Sequence, residues 1–233
     1  QTEPAAGQEE QTLSGVINYN VDKTESFKLI TEYAKEAGKK VAVISSVSLD
    51  HATPAAYYAK AQSRSEYYNI AVQGLTGTTL DFLGGGGYLQ PTGAEGDQQD
   101  LMEIAAENNW TVVSKPEEIR ALNADSGRVL AINENLAGDQ AMVYEIDRIR
   151  RAAEGEDIAS LADMVQGGIG AVDNENGFFM MVEGGKIDWT CHANDAATSI
   201  HETLAFSDAV QVAIDFAEEH PEETLIIVTG DHE

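Results

Sequence analysis

Short apolar runs alternate along this chain with segments in which apolar residues recur every three or four positions. Runs of the first kind are typical of buried strands, and segments of the second kind are typical of helices with one buried face. The predicted strands are Lys40–Ser45, Leu80–Leu83, Trp110–Ser114, Arg128–Ile132, Phe178–Val182 and Leu225–Val228. Strands that alternate with helices predict an α/β fold, a three-layer α/β/α sandwich around a mostly parallel central sheet.

Capping and breaking residues place helices between these strands. The first helix is expected to follow Thr24, to bury a face that includes Phe27 and Ile30, and to stop at Gly38. The second is expected to be capped by Thr53 and to pass Arg64, with a break before Val72. Further helices are expected over Gln99–Glu107, Pro116–Leu122, Ile158–Val165 and Ser207–Pro221. The polar segment 133–157 predicts a surface connection, and the glycines at 167, 168 and 170 are expected to weaken any helix beyond Val165.

The composition and net charge limit the classes of protein to which this chain can belong. Residues 1–14 are polar and predict a disordered or linker tail, and 15–233 predict a partial α/β domain. The net charge of −26 argues against binding to nucleic acid or to an anionic membrane surface. It is typical of a solvated acidic surface, and it agrees with a periplasmic or extracellular protein. The chain begins without Met and stops directly after a candidate ligand, so a fragment of a longer polypeptide is expected.

Candidate metal ligands follow the last two predicted strands. Glu183, Asp188 and His192 come after one strand, and Asp231 and His232 come after the other. The carboxyl ends of strands in open α/β sheets are where ligands bind, and carboxylate and imidazole groups are zinc ligands. Taken singly, each of these residues could equally be a cap, a turn residue or a surface group. Their occurrence at two strand ends indicates one metal centre.

Other residues allow two interpretations. Thr53 is either a helix cap or a ligand, and Arg64 is either a solvated charge or a fork for phosphate oxygens. His51 is either a loop histidine or a group that supports the ligands. Cys191 predicts a packed thiol, because no nearby base marks it as a nucleophile, and His201 and His220 are expected to be exposed. The four glycines at 84–87 predict a tight turn, since no Lys-Ser/Thr pair follows them.

Three stretches together resemble the alkaline phosphatases. They are DHATPAAYYAKAQSR at 50–64, FMMVEGGKIDWTCHAND at 179–195 and LIIVTGDHE at 225–233. The resemblance covers most of the chain after Gly15 and implies hydrolysis of phosphate monoesters through a phosphoserine intermediate. It also implies a site with two Zn²⁺ and one Mg²⁺. The expected partners are small phosphate monoester substrates, with no nucleic acid and no membrane insertion, and a homodimer is compatible with the family.

The resemblance assigns roles residue by residue. The implied metal ligands are Asp188 and His192 for the first zinc, Asp231 and His232 for the second zinc, and Thr53 and Glu183 for magnesium. Arg64 falls on the arginine that grips phosphate. His51 and Trp189 fall on variable positions beside the magnesium and phosphate pockets, where other members carry Asp and Lys.

Three residues of the family pattern are missing from the chain. The family's nucleophilic Ser, an Asp that bridges two of the metals, and a further zinc-ligating His have no counterpart here. We therefore expect that the intact enzyme is active and that this chain by itself is inactive. Two alternatives stay open, a related metallo-phosphodiesterase and a non-catalytic acidic cation-binding domain. A sulfatase is disfavoured because the Cys-x-Pro-x-Arg pattern is absent.

Overall fold

A parallel sheet of five strands lies at the centre of the structure, a computed structural model that describes residues 15–20, 22–230 and 232. The strands are β1 (Lys40–Ser45), β2 (Phe82–Gly85), β3 (Trp110–Val113), β4 (Arg128–Ile132) and β5 (Phe178–Glu183). Their order across the sheet is β3-β4-β2-β1-β5, and all four strand pairs are parallel. The predicted fold class is confirmed. The predicted tail at 1–14 lies outside the described residues.

Helices cover both faces of this sheet. They are α1 (Ile30–Glu36), α2 (Ala52–Ala55), α3 (Tyr67–Thr76), α4 (Leu101–Glu107), α5 (Pro116–Arg120), α6 (Glu145–Ala153), α7 (Leu161–Val172), α8 (Lys186–His192) and α9 (Ala196–Glu219). Successive residues of a strand point to opposite faces. Val41 and Val43 of β1 accordingly belong to one buried cluster with α3 and α4, whereas Ala42 and Ile44 belong to another with α7. Two cores, one on each face, explain why the strands are apolar without alternation.

Glycines in α7 are packing positions and do not weaken the helix, which corrects the prediction. The helix continues through Gly167, Gly168 and Gly170 to Val172. A Cβ on Gly167 would overlap the carbonyl oxygen of Ile119, and one on Gly170 would overlap that of Leu122. Because these glycines have no side chain, α7 can pack closely against the backbone of α5 and of the residues that follow it. This packing offsets the low helix propensity of glycine.

The first two predicted helices are shorter than expected. The side chain of Asn20 accepts hydrogen bonds from the backbone of Thr24 at 2.8 Å and of Glu25 at 3.0 Å, so Thr24 belongs to a turn and caps no helix. The first helix begins only at Ile30, and its predicted buried residues Phe27 and Ile30 are exposed.

The second predicted helix ends far before Arg64. It is capped by His51, so Thr53 lies in its first turn, and its last residue is Ala55. The backbone of Ala61 forms an antiparallel bridge with Ile17, with N–O distances of 2.9 and 3.0 Å. This long-range pairing draws the chain out of the helix.

Two later parts of the chain also differ from the prediction. The predicted surface connection at 133–157 contains α6, a charged helix that ion pairs such as Arg150–Asp147, at 3.1 Å, stabilise along its surface. The last helix begins at Ala196 and contains Ser207 in its interior. Its cap is Asp195, whose carboxylate accepts from the backbone of Thr198 at 3.1 Å.

The predicted strand Leu225–Val228 is absent from the structure. Residues 224–230 have no regular secondary structure, and Leu225 is 83% exposed. The neighbouring edge strand β5 is partly buried and not buried on both faces as predicted, because β1 is its single partner among the described strands.

Candidate metal and phosphate site

The site begins where β1 and β5 end side by side. Ser45 and Glu183 are the last residues of these strands and are paired in register. The Ser45 hydroxyl donates a hydrogen bond to the Glu183 carboxylate at 2.5 Å. The helix α2, which carries Thr53 in its first turn, packs against both strands. Glu183 and Thr53 thus lie at the same carboxyl edge of the sheet.

Helix α8 starts directly after this edge and carries two candidate ligands on one side. Asp188 and His192 are four residues apart, the spacing that brings side chains together on a helix. The Nε2 atom of His192 lies 3.3 Å from Oδ1 of Asp188, and Nε2 of His232 lies 3.5 Å from the same oxygen. The structure therefore brings together side chains from the two ends of the predicted ligand set.

The distance between Asp188 and His192 suits two ligands of one cation. Two ligands of a tetrahedral zinc ion, each about 2.1 Å from the metal, lie about 3.4 Å apart. Within residues 15–20, 22–230 and 232, no group of three His, Cys, Asp or Glu side chains is arranged to hold a metal by itself. The predicted ligand Asp231 lies outside the described residues. The donor set thus fits zinc chemistry, and its completion requires ligands beyond the described part of the chain.

The side chain of Arg64 is linked to the candidate metal ligands through His51. The guanidinium of Arg64 lies 3.2 Å from Nε2 of His51. The His51 ring meets the Trp189 ring edge to face, with centroids 5.7 Å apart. Trp189 follows Asp188 directly, so Arg64, His51 and α8 form one continuous surface.

The surroundings of His51 favour its neutral form. Burial lowers its pKa, the charge of Arg64 lowers it further, and Asp188 opposes both. Because the guanidinium can only donate, Nε2 accepts and the ring proton sits on Nδ1. Nδ1 is buried and has no hydrogen-bond partner among the described residues. His51 therefore orients Arg64 without adding a competing positive charge.

Three predictions about single residues are wrong. Cys191 is exposed rather than packed, with Sγ 3.4 Å from the Ser199 hydroxyl, because it lies on the outer side of α8. His201 and His220 are partly buried rather than exposed. The ring of His201 bonds to the carbonyl of Ala197 at 2.8 Å, and that of His220 packs on Phe216 at 4.5 Å.

Two buried charged residues near the site were not predicted from the sequence. Asp50 is fully buried directly before His51, and burial raises its pKa to about 6. Lys186, at the start of α8, is buried and paired with Glu202 of α9 at 3.1 Å. Neither residue stands out in sequence, because the groups that surround them come from distant parts of the chain. The signal that did locate the site was the position of carboxylates and histidines after apolar runs.

Comparisons with known proteins point to a single family. The sequence model of the alkaline phosphatase family matches residues 9–233. The repressible alkaline phosphatase of Saccharomyces cerevisiae is 31% identical over 228 residues, which cover 88% of this chain and 39% of the yeast protein. Alkaline phosphatase 4 of Bacillus subtilis is 31% identical, with 94% of this chain and 46% of the bacterial protein covered. The chain therefore spans less than half the length of these relatives.

Solved structures show the same fold. The alkaline phosphatase of Thermus thermophilus superposes with a TM-score of 0.74 at 30% identity, over 89% of this chain and 42% of that one. A mutant of the TAB5 alkaline phosphatase with magnesium bound gives a TM-score of 0.72 at 29% identity, over 88% of this chain and 56% of that one.

Proposed function

Because this chain belongs to the alkaline phosphatase family, we propose that the complete protein hydrolyses phosphate monoesters. One observation carries the proposal, the unbroken surface that joins Arg64 and His51 to Asp188, His192 and His232. An anion-binding group beside a cluster of zinc-type ligands is what phosphoryl transfer requires. We further propose that two zinc ions, one magnesium ion and a phosphoserine intermediate are involved.

The metal ligands are proposed by position. Asp188 and His192 would hold one zinc, Asp231 and His232 the other, and Thr53 and Glu183 the magnesium. The separation of paired metals in such sites, about 3.5–4 Å, is compatible with His232 lying beside Asp188. When bound, such metals lower the pKa of a coordinated water and stabilise developing negative charge on phosphate and leaving group.

Arg64 would bind the phosphate of the substrate. Its guanidinium can donate two parallel hydrogen bonds to phosphate oxygens, and it is exposed at the site's surface. Neutral His51 holds the guanidinium at one nitrogen and leaves its other donors for the phosphate. Local positive charge is needed here, since the protein as a whole carries a net charge of −26 and would repel an anion.

Phosphate release from a chromogenic monoester by the full-length protein tests this function, with a diester as the comparison substrate. Rapid, chelator-sensitive release from the monoester and slow release from the diester are expected. Preference for the diester would favour a phosphodiesterase, and metal binding without any hydrolysis would favour a cation-binding domain. We propose that the 233-residue chain alone shows no turnover, because it offers no identified nucleophile.

The setting of the protein stays a proposal. Across the part of the chain that the structure describes, no helix combines the length and apolar character needed to cross a membrane. We place the protein in the periplasm or outside the cell on the strength of its acidic composition. A homodimer also stays a prediction, which the molar mass of the full-length protein in solution would test.

A further inference from the structure

A buried lysine holds the start of the helix that carries Asp188 and His192. Lys186 is the first residue of α8 and is 2% exposed. Its Nζ donates to the carbonyl of Val143 at 2.8 Å and lies 3.1 Å from Oε2 of Glu202. It also lies 4.9 Å from the centre of the Tyr144 ring. All of these partners belong to other elements of the fold.

The partner carboxylate is anchored in its turn. Glu202 of α9 is 4% exposed, and its Oε1 accepts from the backbone nitrogen of Glu145 at 2.6 Å. Glu145 pairs with Arg148 through bonds of 2.6 and 2.7 Å. Two cations and two carboxylates therefore balance in charge, and they join α8 to α9 and to the start of α6. Removal of one member would leave a buried charge without compensation.

Most of α8 has no comparable anchor. Of its residues, only Lys186 and Thr190 are buried, and the Thr190 hydroxyl bonds within α8 to the carbonyls of Lys186 and Ile187. The Asp188 side chain is partly exposed, and the His192 side chain is exposed. The orientation of a seven-residue helix at the surface thus depends strongly on its buried first residue.

We propose that Lys186 is a positioning residue for the metal site, which it serves by fixing α8 so that Asp188 and His192 point together toward His232. This inference rests on the function proposed above, and it adds a residue that contacts neither metal nor substrate. A purely structural ion pair would stabilise the fold without any specific effect on the metal ligands. The two roles therefore differ in what a substitution does to zinc affinity at equal stability.

The test uses Lys186→Met and Lys186→Arg in the full-length protein, with Lys35→Met as a matched control. Lys35 pairs with Asp81 at 2.6 Å, and Asp81 also accepts from Val41, at the opposite, amino-terminal edge of the sheet. Zinc affinity is measured by competition with a chromophoric chelator. Hydrogen exchange of the α8 amides is measured by mass spectrometry in metal-free protein, and urea unfolding reports stability.

Lys186→Met is expected to weaken zinc binding by about 10- to 100-fold, the usual effect of losing a group that orients metal ligands. It is also expected to speed exchange in α8. Lys186→Arg should restore most of both properties, because Arg can still donate to Glu202 and to a carbonyl. Lys35→Met should leave both unchanged. If Lys186→Met fails to fold, Glu202→Gln takes its place, with the same direction expected.

Two results would overturn the inference. One is a zinc affinity in Lys186→Met equal to that of Lys35→Met, and the other is unchanged exchange in α8. Failure of the proposed function gives a different signature, an unsubstituted protein that binds no zinc. In that event, the metal-free exchange experiment still decides whether Lys186 orients α8.

Discussion

Replacement of Asp50 by Asn should stabilise the protein at neutral pH and remove one source of its pH dependence. Asp50 is fully buried, and Oδ1 of its carboxylate has no hydrogen-bond partner among the described residues. Burial raises its pKa from 3.8 to about 6, although the backbone nitrogen of Leu89 donates to Oδ2 at 2.9 Å and opposes the change. Ionised Asp50 is thus a destabilising group.

The size and sign of the effect follow from this pKa. Between pH 4 and 6 the folded protein binds the proton more tightly than the unfolded chain, so stability falls as the pH rises through that window. A gap of about 2 pH units, at about 1.4 kcal/mol each, corresponds to about 3 kcal/mol of lost stability above pH 6. A neutral Asn of the same shape can keep the bond from Leu89 and avoids this loss.

Urea unfolding of the full-length protein from pH 4 to pH 8, in the presence of chelator, measures the effect. Asp50→Asn should unfold with a free energy up to about 3 kcal/mol above that of the unsubstituted protein at pH 7, and the advantage should vanish near pH 4. Asp125→Asn, in an exposed turn, is the control and should show no such trend. A pH-independent difference, or a less stable Asp50→Asn protein at pH 7, would refute the reasoning.

Three further substitutions, one of them paired with a control substitution, test the packing and the site. Gly167→Ala should cost about 1–3 kcal/mol in urea unfolding, because its Cβ would overlap the Ile119 carbonyl. Gly138→Ala, which has no atom within 4 Å of its Cβ, should cost much less, and equal losses would contradict the packing argument. Arg64→Ala should raise the inhibition constant of inorganic phosphate by about 10-fold or more, since charge-assisted bonds are lost; an unchanged constant would exclude a phosphate role. Trp189→Lys should lower that constant by adding a cation, and weaker phosphate binding would contradict its placement beside the phosphate.

The central strands of the sheet were predictable from sequence because they are covered on both faces. The predicted bounds of Lys40–Ser45 and Arg128–Ile132 match β1 and β4 residue for residue. Local patterns failed where distant contacts decide the structure. The bridge between Ile17 and Ala61 ends the second helix early, and no local signal near Arg64 announces it.

The sequence predicted candidate ligands for the site but not the buried groups that support them. Asp188, His192 and His232 were chosen from their positions after apolar runs, and the structure brings these three side chains together. The buried bond between Lys186 and Glu202 was not predictable, because it joins residues 16 positions apart on two separate helices. Burial of Asp50 likewise arises from the tertiary packing around it and not from its neighbours in sequence.

Reconstitution with zinc tests whether the cluster around Asp188 holds the metal that the proposed reaction needs. The full-length protein is treated with chelator and then titrated with Zn²⁺ in the presence of Mg²⁺, while bound zinc and phosphate release from a monoester are measured together. Activity is expected to return in step with bound zinc. An Asp188→Asn protein is expected to recover neither full zinc binding nor full activity. Full activity in the chelated protein, or full recovery in Asp188→Asn, would contradict this proposal.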